Sequence, residues 1–251
     1  MFHSFAAVES RNTNYQRIQP VASSKPAPNA TTIPDSSSKL GTDKTIITRT
    51  AISLEYASLV NPGHCPLGMY AVPSSDSIFI WDAVFFVHKG YYADSVLKFR
   101  LTFPTNYPDS PPSVDFVTDI FHPLISSTGS FNLAPRFKPW RPKEHHVFDV
   151  LHWVKAAFKK HALNSFQESD CFNKEAFRYH ESAQSFAALA TQSASLSQSE
   201  SALYDADHPS PMGNNTGSEF VFHKLTPEHF DQERAKLGLP KWDDVHKLPS
   251  S

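Results

Sequence analysis

The segment VLKFRLTF, Val96–Phe103, alternates between apolar and polar side chains from Leu97 onwards. Successive side chains of a β-strand point to opposite faces of the sheet. The apolar set would therefore share one face and the polar set the other: Leu97, Phe99, Leu101 and Phe103 against Lys98, Arg100 and Thr102. This pattern predicts an antiparallel strand with one face in the core and the other facing solvent.

Two neighbouring segments also favour strands. SIFIWDAVFFVH, Ser77–His88, is rich in aromatic and β-branched residues, which pack well on a pleated sheet. SVDFVT, Ser113–Thr118, follows the proline-rich PTNYPDSPP. Because the three segments follow one another with short links, we expect them to form a meander.

Helical spacing appears on both sides of these strands. Thr45–Val60 is predicted to be an amphipathic helix whose apolar face contains Ile46, Ile47, Ala51, Leu54, Ala57 and Leu59. A second helix is predicted after Trp140, with Val147, Val150, Leu151, Val154 and Phe158 on its apolar face. A third is predicted within residues 171–190. A helix, several antiparallel strands and then further helices indicate an α+β domain with helices packed on one sheet.

Composition divides the chain into three parts. Residues 1–44 are rich in Ser, Thr, Pro and Asn, so we expect a disordered N-terminal tail. Residues 45–190 would form the folded domain. Residues 191–251 would form a C-terminal extension, largely linker, with a short helix near 226–237 that Thr226 caps and Gly238 ends.

The overall composition excludes several classes of function. The formal net charge is −2, and no basic run indicates a nucleic-acid surface. No apolar stretch reaches the ~20 residues that span a bilayer. The N-terminus lacks the apolar region of a signal peptide. Two cysteines suit a reducing compartment, so we expect a cytoplasmic protein without membrane insertion.

An ordered set of motifs resembles the core of the ubiquitin-conjugating enzymes, the E2 family. The familiar pattern runs from Tyr-Pro and Pro-Pro through His-Pro-Asn and Gly-x-x-Cys-Leu to Trp-x-Pro. The matching positions are Tyr107-Pro108, Pro111-Pro112, His122-Pro123, Gly129, Leu133 and Trp140-x-Pro142. The resemblance is strong over about residues 72–160. It implies an E2 fold, with a four-stranded antiparallel meander, an N-terminal helix and C-terminal helices.

Two departures from that pattern concern the chemistry. The family's catalytic cysteine falls on Asn132, and the asparagine of His-Pro-Asn falls on Leu124. A carboxamide is neither the nucleophile nor the leaving group that thioester transfer requires. Leucine cannot donate the hydrogen bond that supports such a reaction. The resemblance therefore implies an inactive E2 variant without catalytic, cofactor-binding or metal-binding residues.

Among inactive variants, the sequence is most similar to the fused-toes subfamily, also called AKT-interacting proteins, and to its insect branch, the crossbronx proteins. The residues behind this similarity include FHPL at Phe121–Leu124 and RFKPWR at Arg136–Arg141. The resemblance implies an adaptor that binds Hook-family coiled-coil proteins in vesicle trafficking. An alternative is a helper subunit that binds ubiquitin or an active E2 and supports chain formation.

A third hypothesis is an enzyme that uses a nucleophile other than the cysteine of the family pattern. Cys171 is the best candidate, and Cys65 is a second. Free cysteines are commonly buried and inert, so the sequence favours a packing role for both. His145 and His146 are adjacent, but no C-x₂₋₄-C accompanies them, and a zinc site is not indicated.

Overall fold

The computed structural model describes residues 6–9, 36–204 and 219–242. The helices are α1 Ser36–Ser58, α2 Ala134–Phe137, α3 Val147–Ala157, α4 Lys160–Leu163, α5 Lys174–Glu181, α6 Ala183–Leu196, α7 Glu200–Leu203 and α8 Pro227–Lys236, with a 3₁₀ turn at Glu168–Asp170. The strands are β1 Ala6–Glu9, β2 Met69–Pro73, β3 Ile80–Phe86, β4 Val96–Thr102, β5 Ser113–Phe116 and β6 Val221–Lys224.

The central sheet is an antiparallel meander in the order β2-β3-β4-β5, as the resemblance implied. Trp81 pairs with Leu101, and Leu101 pairs with Val114, so apolar residues line up across one face. The edge strand β2 was not identified from the sequence, because it is short and follows two prolines and two glycines. β1 and β6 form a separate antiparallel pair.

The core lies between the apolar face of this sheet and α3. Leu97, Phe99 and Leu101 are at most 1% exposed. All five residues of the predicted α3 face are also buried: Val147, Val150, Leu151, Val154 and Phe158. The alternation of β4 and the helical spacing of α3 therefore predicted correctly the apolar side chains that these two elements contribute to the core.

The N-terminal helix differs from the prediction in both length and orientation. It begins at Ser36, nine residues before the predicted Thr45, so part of the expected tail is helical. The predicted apolar face is only partly correct. Ala51 and Leu59 are partly buried against the core, but Ile47 is 64% exposed and Leu54 is 66% exposed, whereas Thr48 and Ile52 are buried. The Thr48 hydroxyl donates to the Thr105 and Tyr107 carbonyls at 3.1 and 3.0 Å, which holds the opposite side of α1 against the domain.

The remainder of the expected disordered tail, 1–44, lies outside the described residues, except that Ala6–Glu9 forms β1. The boundary expected after residue 190 falls inside α6, which continues to Leu196. Phe186, Ala190 and Ala194 of α6 are buried, so the domain extends further than the composition indicated.

The C-terminal extension covers part of the outer face of the sheet. Phe220 and Phe222 are buried against Val84, and Lys98 is only 5% exposed although its position predicted a solvent-facing side chain. The Lys98 ammonium donates to the carbonyls of Ala202 and Leu203 at 3.1 and 2.8 Å. The prediction of a solvent-facing Lys98 is therefore wrong, because the extension returns over β4.

The short helix expected near 226–237 is present as α8. The Thr226 side chain accepts a hydrogen bond from the His229 amide, as an N-cap residue does. Among the helices in the described part of the chain, none has the length and apolar character needed to cross a membrane.

Candidate functional site

The segment Phe121–Trp140 forms a loop that is attached to the edge strand β5. Within the loop, the Ser126 amide donates to the Ser130 carbonyl at 2.9 Å. The Phe131 amide donates to the carbonyl of Val114 in β5, also at 2.9 Å. Gly129 closes the turn with a φ of 89°, and a Cβ at this position would lie 2.2 Å from the Phe116 carbonyl oxygen. Only glycine satisfies both constraints, which explains the residue type at this position.

His122 anchors the start of the loop inside the core. It is fully buried, its Nδ1 accepts a hydrogen bond from the Leu124 amide at 3.1 Å, and its Nε2 lies 3.2 Å from the Ala157 carbonyl. The first contact requires an unprotonated Nδ1, so the ring is neutral and donates through Nε2. Burial lowers the pKa of His122 from 6.5 to about 4. The residue therefore shapes the turn and is not a general base at neutral pH.

Asn132 and Leu124, the two positions singled out in the sequence, are brought together. The Asn132 amide donates to the Leu124 carbonyl at 2.9 Å. The Leu124 side chain is fully buried in the hydrophobic core. The Leu124 side chain therefore contributes packing and presents no polar group to Asn132; only its backbone carbonyl bonds to that residue.

Both ends of the Asn132 side chain have hydrogen-bond partners. Its Nδ2 donates to the Asp170 carbonyl at 2.7 Å, and its Oδ1 accepts from the Ala134 amide at 2.9 Å. The first bond ties the loop to the 3₁₀ turn Glu168–Asp170, and the second satisfies an amide at the start of α2. Asn132 thus acts as a structural connector between two segments of the chain.

The partner of Nδ2 was not predictable from the sequence, because Asp170 is separated from Asn132 by 38 positions. The bond to Ala134 had a local signal. An asparagine shortly before Ala134-Pro135 is typical of a helix N-terminus, where its side chain accepts from a free amide and proline occupies the first turn.

Cys171 directly follows Asp170, whose carbonyl accepts the hydrogen bond from Asn132. It is 5% exposed, and its thiol donates to the Gln167 carbonyl at 3.3 Å. Burial, and then the nearby Asp170 and Glu168 carboxylates, raise the pKa of the Cys171 thiol to about 11. At neutral pH the thiolate is therefore a very minor form. Burial also raises the pKa of the Cys65 thiol.

The loop ends in an aromatic cluster that packs it onto the domain. The Trp140 indole donates to the Pro108 carbonyl at 2.8 Å, and its ring lies 5.7 Å from that of Phe137. Trp140 therefore packs the end of this segment onto the domain. His145 accepts from the Arg141 amide at 3.0 Å.

The paired histidines have separate structural partners. His145 accepts a hydrogen bond from the Arg141 amide, whereas a ring nitrogen of His146 lies 3.0 Å from the Glu55 carboxylate of α1. The other Glu55 oxygen accepts from the Val147 amide at the start of α3. Within the described residues, no group of three or more His, Cys, Asp or Glu side chains could hold a metal ion.

An open pocket of about 270 Å³ lies between the start of this loop and α6. Phe121, Ser126 and Ser193 are among its lining residues, and Asn132 and Cys171 are not. Asn132 is therefore a partly buried connector at the surface, outside this concavity.

Comparisons with known proteins agree with this architecture. Residues 54–194 match the ubiquitin-conjugating enzyme family, and the match covers more than half of the chain. The chain is 40% identical over 94 residues to the protein crossbronx-like of Drosophila mojavensis, covering 36% of this chain and 37% of that protein.

A longer match is with the AKT-interacting protein of Danio rerio. It has 32% identity over 187 residues, covering 68% of this chain and 61% of that protein. The protein crossbronx homolog of Anopheles gambiae is 31% identical over 114 residues, covering 44% of this chain and 50% of that protein. The chain thus spans less than two-thirds of each of these relatives.

Proposed function

Because this chain belongs to the ubiquitin-conjugating enzyme family, we propose that it is a non-catalytic E2-like adaptor that holds protein partners together in a Hook-type vesicle-trafficking complex in the cytoplasm. The observation that carries this proposal is the state of Asn132. The position where the family pattern has its cysteine holds an amide, and both ends of that amide are engaged in structural hydrogen bonds.

Thioester chemistry requires a group that attacks a carbonyl and later leaves. A thiolate does both, whereas a carboxamide does neither. The side chain of Leu124, at the family's asparagine position, offers no donor to a developing oxyanion, and losing one such donor typically costs about 10²–10³ in rate. Both changes support a chain that forms no thioester with ubiquitin.

Cys171 does not restore the missing chemistry. Its thiol is buried, is protonated at neutral pH and donates to a carbonyl of its own turn. Reactive cysteines are instead accessible and lie in electropositive surroundings. These features argue against the unusual-nucleophile reading.

The adaptor reading draws on two further observations. The name of the Danio rerio relative, AKT-interacting protein, describes binding to another protein. The resemblance to the fused-toes subfamily suggests Hook-family coiled-coil proteins as partners.

The first experiment tests inactivity. The chain is incubated with ubiquitin-activating enzyme, ATP and ubiquitin and is analysed on a non-reducing gel beside an active E2. We expect no thiol-sensitive adduct for the wild type. Asn132→Cys should give no efficient discharge to lysine, because Leu124 still provides no donor. An adduct on the wild type that Cys171→Ala removes would contradict the proposal.

The second experiment tests the adaptor role. The tagged full chain is expressed in cells, and a Hook-family protein should co-purify with it. Titration of labelled ubiquitin, followed by NMR, addresses the helper-subunit alternative. Saturable chemical-shift changes in the labelled ubiquitin, without co-purification of a Hook-family protein, would favour the helper-subunit hypothesis over the adaptor hypothesis.

A further inference from the structure

Four lysines gather at the end of the domain where α3 finishes. Lys155 lies in the last turn of α3, and Lys159 and Lys160 follow directly after that helix. Lys89 belongs to the loop that joins β3 to β4. Lys89, Lys159 and Lys160 are exposed, and Lys155 is half-buried. We call these four lysines, together with Leu67, the basic patch.

Contacts between separate segments bring the basic patch together. The Lys155 ammonium donates to the Leu67 carbonyl, which joins α3 to the loop before β2. The Lys160 ammonium lies 6.0 Å from the centre of the Tyr91 ring, which joins the start of α4 to the loop that carries Lys89. The lysines therefore share one end of the domain although they come from distant parts of the sequence.

The positive charge of the basic patch is not neutralised by acidic neighbours. The segments 60–68, 88–92 and 152–166, which build this end of the domain, contain no Asp or Glu. Within the described part of the chain, none of the four lysines forms a salt bridge. Burial, and then the nearby Lys159 charge, lower the pKa of Lys155. The patch is therefore a concentration of positive charge on a chain whose formal net charge is −2.

An exposed apolar side chain stands among these lysines. Leu67 is 86% exposed, while its carbonyl is held by Lys155. The same loop is tied to α3 a second time, because the Nε2 of His152 lies 2.7 Å from the Gly63 carbonyl oxygen. Lysines around a protruding apolar side chain are typical of surfaces that meet a membrane interface, where the charges contact anionic headgroups and the apolar group reaches the acyl boundary.

Two features favour a lipid surface over a soluble phosphate ligand or a phosphorylated peptide. The three segments contain no arginine, the side chain whose planar fork recognises individual phosphate groups. The four lysines also line neither of two open concavities in the described part of the chain, the one beside α6 and another of about 320 Å³ beside β2 and Phe220. Dispersed point charges outside a pocket suit an extended anionic surface. A second copy of the chain is disfavoured, because it would place lysines against lysines.

We propose that the basic patch is a peripheral binding surface for an anionic phospholipid bilayer, with the lysines at the level of the headgroups and Leu67 at the boundary between headgroups and acyl chains. Each lysine close to such a surface strengthens binding by roughly fivefold. This inference goes beyond the proposed adaptor function, because the contact is made with lipid and needs no Hook-family protein.

The test measures binding of the purified full chain to vesicles by co-sedimentation. One set of vesicles is phosphatidylcholine alone, and the other contains about 30% phosphatidylserine, an anionic lipid. We expect binding to the second set to be at least about tenfold tighter. Raising the salt concentration from about 0.1 M to about 1 M should remove most of this difference, because it shortens the Debye length from about 10 Å to about 3 Å.

Matched charge variants separate the basic patch from overall basicity. The patch pair, Lys159→Gln with Lys160→Gln, should weaken binding to the phosphatidylserine vesicles by at least about tenfold. The control pair, Lys138→Gln with Lys143→Gln, removes the same charge from two exposed lysines near Trp140. It should weaken binding by less than about twofold. Thermal unfolding checks that both pairs fold.

A second set of variants tests the apolar side chain. Leu67→Ser should weaken binding to the phosphatidylserine vesicles by at least about threefold, because it removes the group that leaves water. Leu237→Ser removes another leucine, which is 75% exposed and lies outside the basic patch, and it should leave binding unchanged.

Three results would overturn the inference: no preference for the phosphatidylserine vesicles, equal weakening by the patch pair and the control pair, or tighter binding of the chain to a polyglutamate peptide than to those vesicles. The last result would assign the basic patch to an acidic protein. The vesicle assay contains no Hook-family protein, so a failure there leaves the adaptor function standing. Vesicle binding through the patch, without Hook co-purification from cells, would uphold this surface and reject the adaptor function.

Discussion

At the scale of single residues, the function proposed here depends on what the Asn132 amide does. Its two hydrogen bonds join three segments: the loop that contains it, the start of α2 and the turn before Cys171. A side chain engaged in this way stabilises the region whether or not any chemistry occurs there. Asn132 therefore has a measurable structural role that does not depend on a reaction.

Substitution of Asn132 should lower stability. Asn132→Ala removes both hydrogen bonds, and we expect a loss of about 1–2 kcal/mol in the free energy of unfolding. Asn132→Asp is nearly isosteric but places an acceptor against the Asp170 carbonyl, so its loss should be at least as large. Urea denaturation measures both values.

The control for the two Asn132 variants is Asn106→Asp. The Asn106 side chain also donates one hydrogen bond, to Ser110, but that bond is exposed to solvent. Its substitution should change stability by less than about 0.5 kcal/mol. Equal effects at Asn106 and Asn132 would contradict the connector role.

His122 should make stability dependent on pH. Its pKa is about 4 in the folded chain and about 6.5 when unfolded, so between these values the unfolded state binds a proton that the folded state does not. Stability should therefore fall as pH decreases from about 6.5 to 4, by up to about 3 kcal/mol from this residue alone.

Removing the titrating ring tests this assignment. His122→Asn retains an acceptor for the Leu124 amide but does not titrate in this range. Its free energy of unfolding should be lower than that of the wild type at pH 7, with a shallower decline towards pH 4. If the free energy of unfolding declined equally steeply with falling pH in both proteins, His122 would not be the group that makes stability depend on pH.

At the scale of elements, α1 is attached to α3 through Glu55. The Glu55 carboxylate accepts from the Tyr107 hydroxyl at 2.9 Å, from the Val147 amide at 3.0 Å and lies 3.0 Å from the His146 ring nitrogen. A carboxylate at a helix N-terminus satisfies a free amide and interacts favourably with the helix dipole. One side chain of α1 thus positions the start of the helix that supplies much of the core.

Loss of this contact should destabilise the domain strongly. Glu55→Ala leaves the Tyr107 hydroxyl and the Val147 amide without their acceptor, and we expect a loss of about 2–4 kcal/mol by urea denaturation. Glu55→Gln keeps one oxygen acceptor and should lose less. The exposed Glu144, substituted by alanine, serves as the control. A Glu55→Ala loss no larger than that of the control would rule out the anchoring role.

At the scale of the whole molecule, two described parts of the C-terminal extension, α7 and the segment around β6, pack on the outer face of the sheet. Lys98 caps the carbonyl end of α7, and its ammonium lies 5.0 Å above the Phe222 ring. Asp82, which lies opposite Arg100 in the β3-β4 pair, accepts from Arg100 and from the Glu219 amide. Charged groups on the outer face of the sheet thus hold the extension through its backbone.

Removal of the Lys98 charge should release this extension. Lys98→Met keeps most of the side-chain volume but loses the bonds to α7, so amide hydrogen exchange should accelerate in Glu200–Leu203 and Val221–Lys224 while β3 and β4 remain protected. The global free energy of unfolding should fall by about 1–3 kcal/mol. The exposed Lys89, substituted by methionine, should change neither property. Unchanged exchange in Lys98→Met would contradict the role of Lys98.

Several features were determined by the sequence alone. The alternation in Val96–Phe103 and the spacing of α3 predicted which apolar side chains of these two elements are buried, because both patterns depend on the period of a single element. The ordered motifs from Tyr107 to Trp140 predicted the family and the four-stranded fold. The identities of Asn132 and Leu124 predicted the proposed loss of thioester chemistry, since that argument needs only the two side chains.

The tertiary structure decided the features that join distant parts of the chain. Asp170 meets Asn132 across 38 positions, and Ala202 meets Lys98 across 104. The exposed side of α1 was also decided by distant partners, because Thr48 and Glu55 bind the domain through polar contacts that periodicity does not detect. Periodicity shows that a helix has an apolar face, but only packing determines whether that face enters the core of its own domain or remains exposed.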